Sequence, residues 1–250
     1  MNILLESPIY TTEAALQAAK FGVDRLELCS SFYEGGETPG AGMLSYLKSH
    51  LQIPVFVMIR PRGGDFVYSD EELDVMDEEI RIFSSLGADG FVFGILNRDG
   101  SVNSDACCRL IETASCKPCT YHRAFDVSRN LDESLETIIK CGFHRILTSG
   151  GKNSVEEGLD KIVRLLKLAG DRIIIMPGGG MKPDLVEPLR KTGWLREIHA
   201  SCKKYRPSES RWQNPDVQLL ADESEDAGVL TISRNKVDEY RKVLSLTEGL

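Results

Sequence analysis

No apolar run in this chain approaches the ~20 residues that a membrane-spanning helix needs, so a helical membrane protein is not expected. Basic clusters are equally scarce. Nothing longer than Lys203-Lys204 stands out, and 30 Lys plus Arg stand against 38 Asp plus Glu, a formal charge of -8. Phosphate neutralisation supplies most nucleic-acid affinity, so no nucleic-acid partner is expected. The first residues, Met1-Asn2-Ile3-Leu4-Leu5-Glu6, carry no basic stretch and meet a carboxylate too early for a secretion signal. The cysteines number seven, which is odd, and this points to reduced thiols and a cytoplasmic setting instead of a disulfide framework.

Several chemistry-bearing motifs are also missing. There is no HxH, no HExxH and no acidic EF-hand loop, which removes the conventional zinc and calcium sites. No P-loop lysine motif occurs, and Pro183 sits where a GxGxxG starting at Gly178 would need its third glycine. The pair Cys116 and Cys119 has CxxC spacing, but it runs into a strand instead of opening a helix, so it reads as coincidence.

What the chain does have is rhythm. Short apolar runs alternate with longer segments whose apolar residues recur at helical spacing, the pattern of βαβ units. Strands are expected over 2–5, 25–28, 55–59, 90–93, 119–121, 145–147, 173–176 and 197–199. Helices are expected over 12–21, 42–50, 70–86, 104–114, 130–141, 154–169 and 183–192. Runs such as Val55-Phe56-Val57-Met58-Ile59 are apolar on both faces, as strands covered by helices outside and core inside must be. Gly22, Gly87, Gly142, Gly170 and Gly193 stand where helices stop, and Ser69 and Ser154 where two of them start, the latter with capping-box spacing to Glu157. Eight such units in 250 residues predict one TIM-type (β/α)8 barrel spanning 1–250. A long excursion over 202–232, with Gln218-Leu219-Leu220 as an ordered piece, and a final helix over 233–246 complete the expectation.

In such a barrel the carboxyl ends of all strands open on one face, so residues far apart in sequence converge. Glu6, Glu27, Arg60, His122, Thr148, Ser149, Gly178, Gly179, Gly180 and His199 all stand at or just after these ends. Arg60-Pro61-Arg62-Gly63-Gly64-Asp65 supplies two guanidinium forks and a carboxylate suited to anions. The alternative is that Arg60 and Arg62 pair with Glu6 and Glu27 as an ionic plug of the barrel. His122 is a candidate general acid or base, oriented by Asp126 or a strand-end Glu, with Arg123 beside it; the alternative is a structural histidine. The glycine turns Thr148-Ser149-Gly150-Gly151 and Gly178-Gly179-Gly180 read as an anion nest, or simply as tight turns. Cys29 and Cys202 are the thiols nearest the expected pocket, and soft thiolates with Met43 or Met181 would suit Cu(I). A divalent ion between Glu6, Glu27 and His122 is a further arrangement open to the geometry.

These motifs, taken in order, resemble a known family. Asp24-Arg25-Leu26-Glu27-Leu28-Cys29, Glu34-Gly35-Gly36 with Thr38-Pro39, Ile59-Arg60-Pro61-Arg62-Gly63-Gly64-Asp65-Phe66, His122-Arg123-Ala124-Phe125-Asp126, Leu147-Thr148-Ser149-Gly150 and Pro177-Gly178-Gly179-Gly180 are similar to the CutC family. The resemblance implies a cytoplasmic barrel protein, often a homo-oligomer such as a dimer or tetramer, linked to copper homeostasis and to Cu(I) binding in some members. By position Cys29 matches the cysteine after the family's second strand, and Cys202 stands near a cysteine after its eighth. The cysteine that many animal members carry after the first-strand Glu is absent, since the chain reads Glu6-Ser7-Pro8 there.

Two functions are therefore expected to compete. One is a copper-binding homeostasis protein with Cys29 and Cys202 as ligands. The other is a barrel enzyme acting on a small anionic or phosphorylated metabolite. Its catalytic groups would be Glu6, Glu27, His122 and Asp126. Its binding groups would be Arg60, Arg62, Asp65, Arg123, Thr148, Ser149, the glycines 178–180 and His199.

Overall fold

The computed structural model describes residues 3–212, 214, 216–217 and 228–245. Strands and helices alternate as β1 (Leu4–Ile9), α1 (Thr12–Phe21), β2 (Arg25–Leu28), α2 (Ala41–His50), β3 (Val55–Met58), α3 (Asp70–Ser85), β4 (Gly90–Phe93), α4 (Ser104–Ala114) and β5 (Cys119–Tyr121). They continue as α5 (Leu131–Cys141), β6 (Arg145–Thr148), α6 (Leu159–Ala169), β7 (Ile174–Pro177), α7 (Val186–Arg190) and β8 (Glu197–His199). All eight strands are parallel in the order β7-β6-β5-β4-β3-β2-β1-β8, and β7 packs beside β8 to bring the sheet round into a nearly closed barrel. The expected TIM-type barrel is the observed one.

Local chemistry explains the element ends. The Thr11 hydroxyl accepts the Ala14 N–H ahead of α1, and Gly22, at φ 96°, takes the left-handed stop that a side chain resists. Ser69 and Glu72 form a reciprocal capping box on α3. Every residue of β3 is buried, as its double-sided apolar sequence requires.

Three expectations shift. β1 does not end before Glu6 but runs to Ile9, because its register with β2 continues through Ser7, Pro8 and Ile9 and the Ser7 hydroxyl is satisfied by the Ser201 carbonyl. Glu6 thus lies mid-strand. Helix α6 starts five positions after Ser154, although Ser154 does accept the Glu157 N–H at 3.3 Å. The intervening turn is packed on the β6 loop so tightly that a Cβ on Gly158 would fall 1.9 Å from the Ser149 carbonyl oxygen. Finally, the excursion after β8 contains an antiparallel hairpin, β9 (Lys203–Arg206) with β10 (Val229–Ile232), before α8 (Arg234–Leu244) packs on α1 and α7. Four-residue strands with 22 residues between them have no local signal, so only their pairing reveals them. Gln218-Leu219-Leu220 lies outside the described residues. No helix among the described residues is long and apolar enough to cross a membrane.

Candidate functional site

The floor of the site is ionic. Glu6 sits opposite Arg25 on β2 and His199 on β8, so one carboxylate meets two partners across the ladder. Arg25 Nε donates to Glu6 Oε2 at 2.5 Å, and its Nη2 donates to Glu197, which also accepts from Arg145 Nε at 3.1 Å. Both guanidinium groups lie over the Phe56 ring, 4.7 and 4.9 Å from its centroid. All four charged side chains are buried. An ionic plug therefore fills the barrel, but Arg25, Arg145 and Glu197 build it with Glu6; Arg60 and Arg62 take no part. The sequence pattern passes over these three because a charge opening a strand usually faces solvent, and only the inward register of β2, β6 and β8 makes them core ions.

Above the plug a cavity of about 500 Å³ opens at the carboxyl ends of the strands, with Glu27, Arg60, Phe66, His122, Arg123 and His199 in its wall. His199 Nδ1 lies 2.8 Å from Glu6 Oε1, and its Nε2 lies 3.9 Å from Glu27 Oε2. Glu6 thereby fixes the ring, leaving Nε2 turned toward Glu27. Burial pushes the Glu6 carboxyl up, but the Arg25 charge and the His199 contact outweigh it and hold it down to about 2. Burial pushes Glu27 up to about 7, with the His199 charge resisting. His199 itself is raised: burial pulls it down, and the two carboxylates overcome that. Glu27 and His199 thus form an interacting acid–base pair, each raised from its ordinary value.

On the opposite wall Arg60 is spent on backbone carbonyls, donating to Glu34 at 2.6 Å, Gly36 at 2.9 Å and Gly64 at 3.0 Å. Its guanidinium and the His122 ring both rest against Phe66, at 5.1 and 4.8 Å between centres. His122 Nδ1 accepts the Ala124 N–H at 3.2 Å, and Gly94 leaves the space the ring needs, since a Cβ there would sit 2.7 Å from Nδ1. Burial and the Arg60 charge depress His122 to about 3, so it is neutral near pH 7 with its proton on Nε2. This removes it as general base and makes it a hydrogen-bond donor. Two buried atoms here, Glu27 Oε1 and His122 Nε2, have no hydrogen-bond partner, while Arg60 also donates to the Tyr68 hydroxyl.

The other expected residues divide. Asp126 does not orient His122; its carboxylate is filled by the Thr148 hydroxyl at 2.5 Å, the N–H groups of Ser149 and Gly151 and Arg123 Nε at 2.8 Å. Thr148 and Ser149 serve that clasp and do not form the wall of the cavity. Arg123 also donates to Ser149 and Lys152, both through Nη2, and the side chain reaches the cavity. Arg62 and Asp65 stay on the rim: Arg62 is held by Glu72 at 2.5 Å and Asp65 at 3.1 Å, and neither lines the cavity. Gly178 makes room for His199, since a Cβ would fall 2.8 Å from the His199 Cβ. Gly179 underlies the Arg123 guanidinium, while Gly180 faces a second cleft of about 330 Å³ beside α8.

The thiols are not brought together. Cys29 packs with Phe56, Met58 and Val92, whereas Cys202 belongs to the main core and lines the second cleft. Burial, with Glu27 at 3.6 Å from the sulfur, raises Cys29 well above an ordinary thiol. Cu(I) prefers soft sulfur, and the Cys29 surroundings offer it one protonated thiol with Met58 nearby. The one cluster of three or more potential metal donors among the described residues is Glu6, Glu27 and His199, with His199 standing where His122 was expected. Both Glu6 oxygens are already engaged, Oε2 by Arg25 and Oε1 by His199, so a cation would have to break one of these buried contacts. That set does not fit a resident metal.

Comparison with known proteins agrees in fold and family. A family model described as the CutC family matches residues 3–204. The human copper homeostasis protein cutC homolog is 43% identical over 220 residues, covering 88% of this chain and 81% of that protein. A family protein CutC from Porphyromonas gingivalis is 41% identical over 242 residues, 97% of this chain and 93% of that one. The crystal structure of a CutC protein from Streptococcus agalactiae is 33% identical with a TM-score of 0.74, covering 80% of this chain and 98% of its own.

Proposed function

This chain belongs to the CutC family, and from that premise we propose that it is a barrel enzyme acting on a small anionic metabolite at the carboxyl face of its strands. The observation that carries the reading is that five ionisable side chains, of Glu27, Arg60, His122, Arg123 and His199, line one cavity at the carboxyl ends of the strands. Convergent charged and titratable groups with shifted pKa values in one cleft are the usual mark of a ligand site. Arg123 supplies a charge to pair with the ligand's anionic group, and Glu27 with His199 Nε2 supplies an acid–base pair.

Titration of acetate, pyruvate, oxalate and inorganic phosphate against the protein, followed by calorimetry and thermal melting, tests the reading. At least one of these anions should raise Tm and release heat, and Arg123→Ala should weaken it by tenfold or more, about 1.4 kcal/mol. Absence of binding by all four to the wild type would overturn the proposal.

The copper link in the names of the relatives favours a second reading, because the Cys29 sulfur and the Met58 methyl group flank one spot beside Gly36. In that reading Cys29 is the Cu(I) ligand. Competition with a Cu(I) chelator should show binding by the wild type and by Cys202→Ser but its loss in Cys29→Ser; equal affinity in all three proteins would remove the site.

A further inference from the structure

We propose that the cavity takes an aromatic carboxylate, with its carboxylate against Arg123 and its ring on an apolar wall built from Tyr10, Phe32 and Phe66. The inference rests on the proposed small-anion enzyme reading and names the substrate class of that same site. Size is the first argument. A cavity of about 500 Å³ falls within the ~300–1,000 Å³ of sites for drug-sized ligands, and acetate or phosphate alone would leave most of it to water. Lining is the second. Beside the charged groups the wall carries Pro8, Tyr10, Phe32, Met58, Phe66 and Val127, all apolar or aromatic. The rings of Tyr10, Phe32 and Phe66 are only half-buried, and Val127 is 62% exposed. Apolar surface left uncovered and gathered in one cleft is surface that a ligand's ring would cover.

Strand order sets the two ends of the ligand apart. Tyr10 follows β1, Phe32 follows β2 and Phe66 follows β3, whereas Arg123 follows β5. In a ring of eight strands the fifth stands across the mouth from the first, so the aromatic wall and the Arg123 side chain lie on opposite sides of the cavity. The rings are held before any ligand arrives. Phe32 meets Tyr10 edge-on at 5.1 Å and has the Lys203 ammonium 4.4 Å over its ring. The loop that carries it is closed by paired backbone hydrogen bonds between Ser30 and Glu37, at 2.9 and 3.0 Å. Phe66 is held by His122 and Arg60, at 4.8 and 5.1 Å between centres. Rings fixed in this way lose little freedom when a planar ligand packs against them. Arg60 is buried and spent on backbone carbonyls and Tyr68, whereas the Arg123 side chain is 40% exposed and is the guanidinium that a carboxylate can reach.

Matched ligands separate the ring from the anion. Calorimetry on the wild type compares phenylpyruvate with pyruvate and phenylacetate with acetate, each pair differing by one phenyl group, and adds phenylacetamide as a ring without charge. The phenyl member of each pair should bind ~10–100-fold tighter, the range that burial of one aromatic ring supplies. Phenylacetamide should bind about tenfold or more weakly than phenylacetate, because it cannot pair with Arg123. Phe32→Ala should remove most of the phenyl advantage, and Arg123→Ala should weaken all four acids alike; thermal melts check that each variant folds. The wild-type pairs decide the matter even where a variant does not fold. If pyruvate or acetate binds and its phenyl counterpart binds no tighter, the aromatic inference is overturned and the small-anion reading stands. Phenylacetamide matching phenylacetate, or a folded Phe32→Ala that keeps the full phenyl advantage, would equally overturn it. If neither these acids nor oxalate and phosphate bind, both readings fall.

Discussion

Replacing His122 by Gln turns the burial of this imidazole into a measurable pH slope. In the folded protein His122 is depressed from 6.5 to about 3 by burial and the Arg60 charge. The unfolded chain therefore binds a proton that the native state refuses at any pH between those values. The stabilisation from the neutral buried ring is complete above the unfolded pKa and is lost as pH falls toward the folded one. Each unit is ~1.4 kcal/mol, so the interval amounts to about 5 kcal/mol, and lowering the pH from 7 to about 5 removes about 2 kcal/mol. Gln fills similar space and does not titrate. Urea unfolding of the two proteins at both pH values, read by circular dichroism, isolates the His122 contribution because every other titrating group is common to both. The wild type should lose about 2 kcal/mol more than the variant on acidification. An unchanged difference would mean that His122 is protonated in the fold, and the neutral-donor reasoning would fail with it.

Glu197→Gln leaves the Arg145 guanidinium without its buried carboxylate and should cost about 3–5 kcal/mol in urea unfolding, with a folded product of full stability counting against the ionic plug. Gly94→Ala places a methyl group 2.7 Å from His122 Nδ1, so it should cost about 1–3 kcal/mol and also weaken the pH difference described above. Iodoacetamide at neutral pH should label the exposed Cys116 well before the buried Cys29, Cys107 and Cys119, as mass spectrometry of partial digests would show. Rapid labelling of Cys119, whose thiol burial pushes up to about 12, would contradict its place at the start of β5.

How far the site was legible depends on the kind of information each residue carries. The barrel follows from local rules. Double-sided apolar strands such as β3, capping groups such as Ser69 with Glu72, and glycine stops such as Gly22 act within a few residues of themselves. Once eight such units close, the convergence of Glu27, Arg60, His122 and His199 on one face follows from topology alone. The roles do not follow. Asp126, three positions from Arg123, looks from its spacing like a partner for His122, yet the Thr148 and Ser149 loop consumes it. Arg62 and Asp65 share a motif with Arg60 but are spent on ion pairs, with each other and with Glu72, outside the cavity wall.

The amino-acid sequence by itself determined the order of strands and helices, the barrel and the set of polar groups delivered to its mouth, since periodicity, capping and turn chemistry are short-range properties of the chain. Only the tertiary structure decided which of those groups are spent on one another and which are left facing the cavity. Arg25 with Glu6, Arg145 with Glu197 and Glu6 with His199 are separated by 19, 52 and 193 positions. Their pairing depends on strand register, and so do the desolvation that raises Glu27 and neutralises His122 and the Arg25 charge that holds Glu6 ionised against its burial; none of these exists until the strands are side by side.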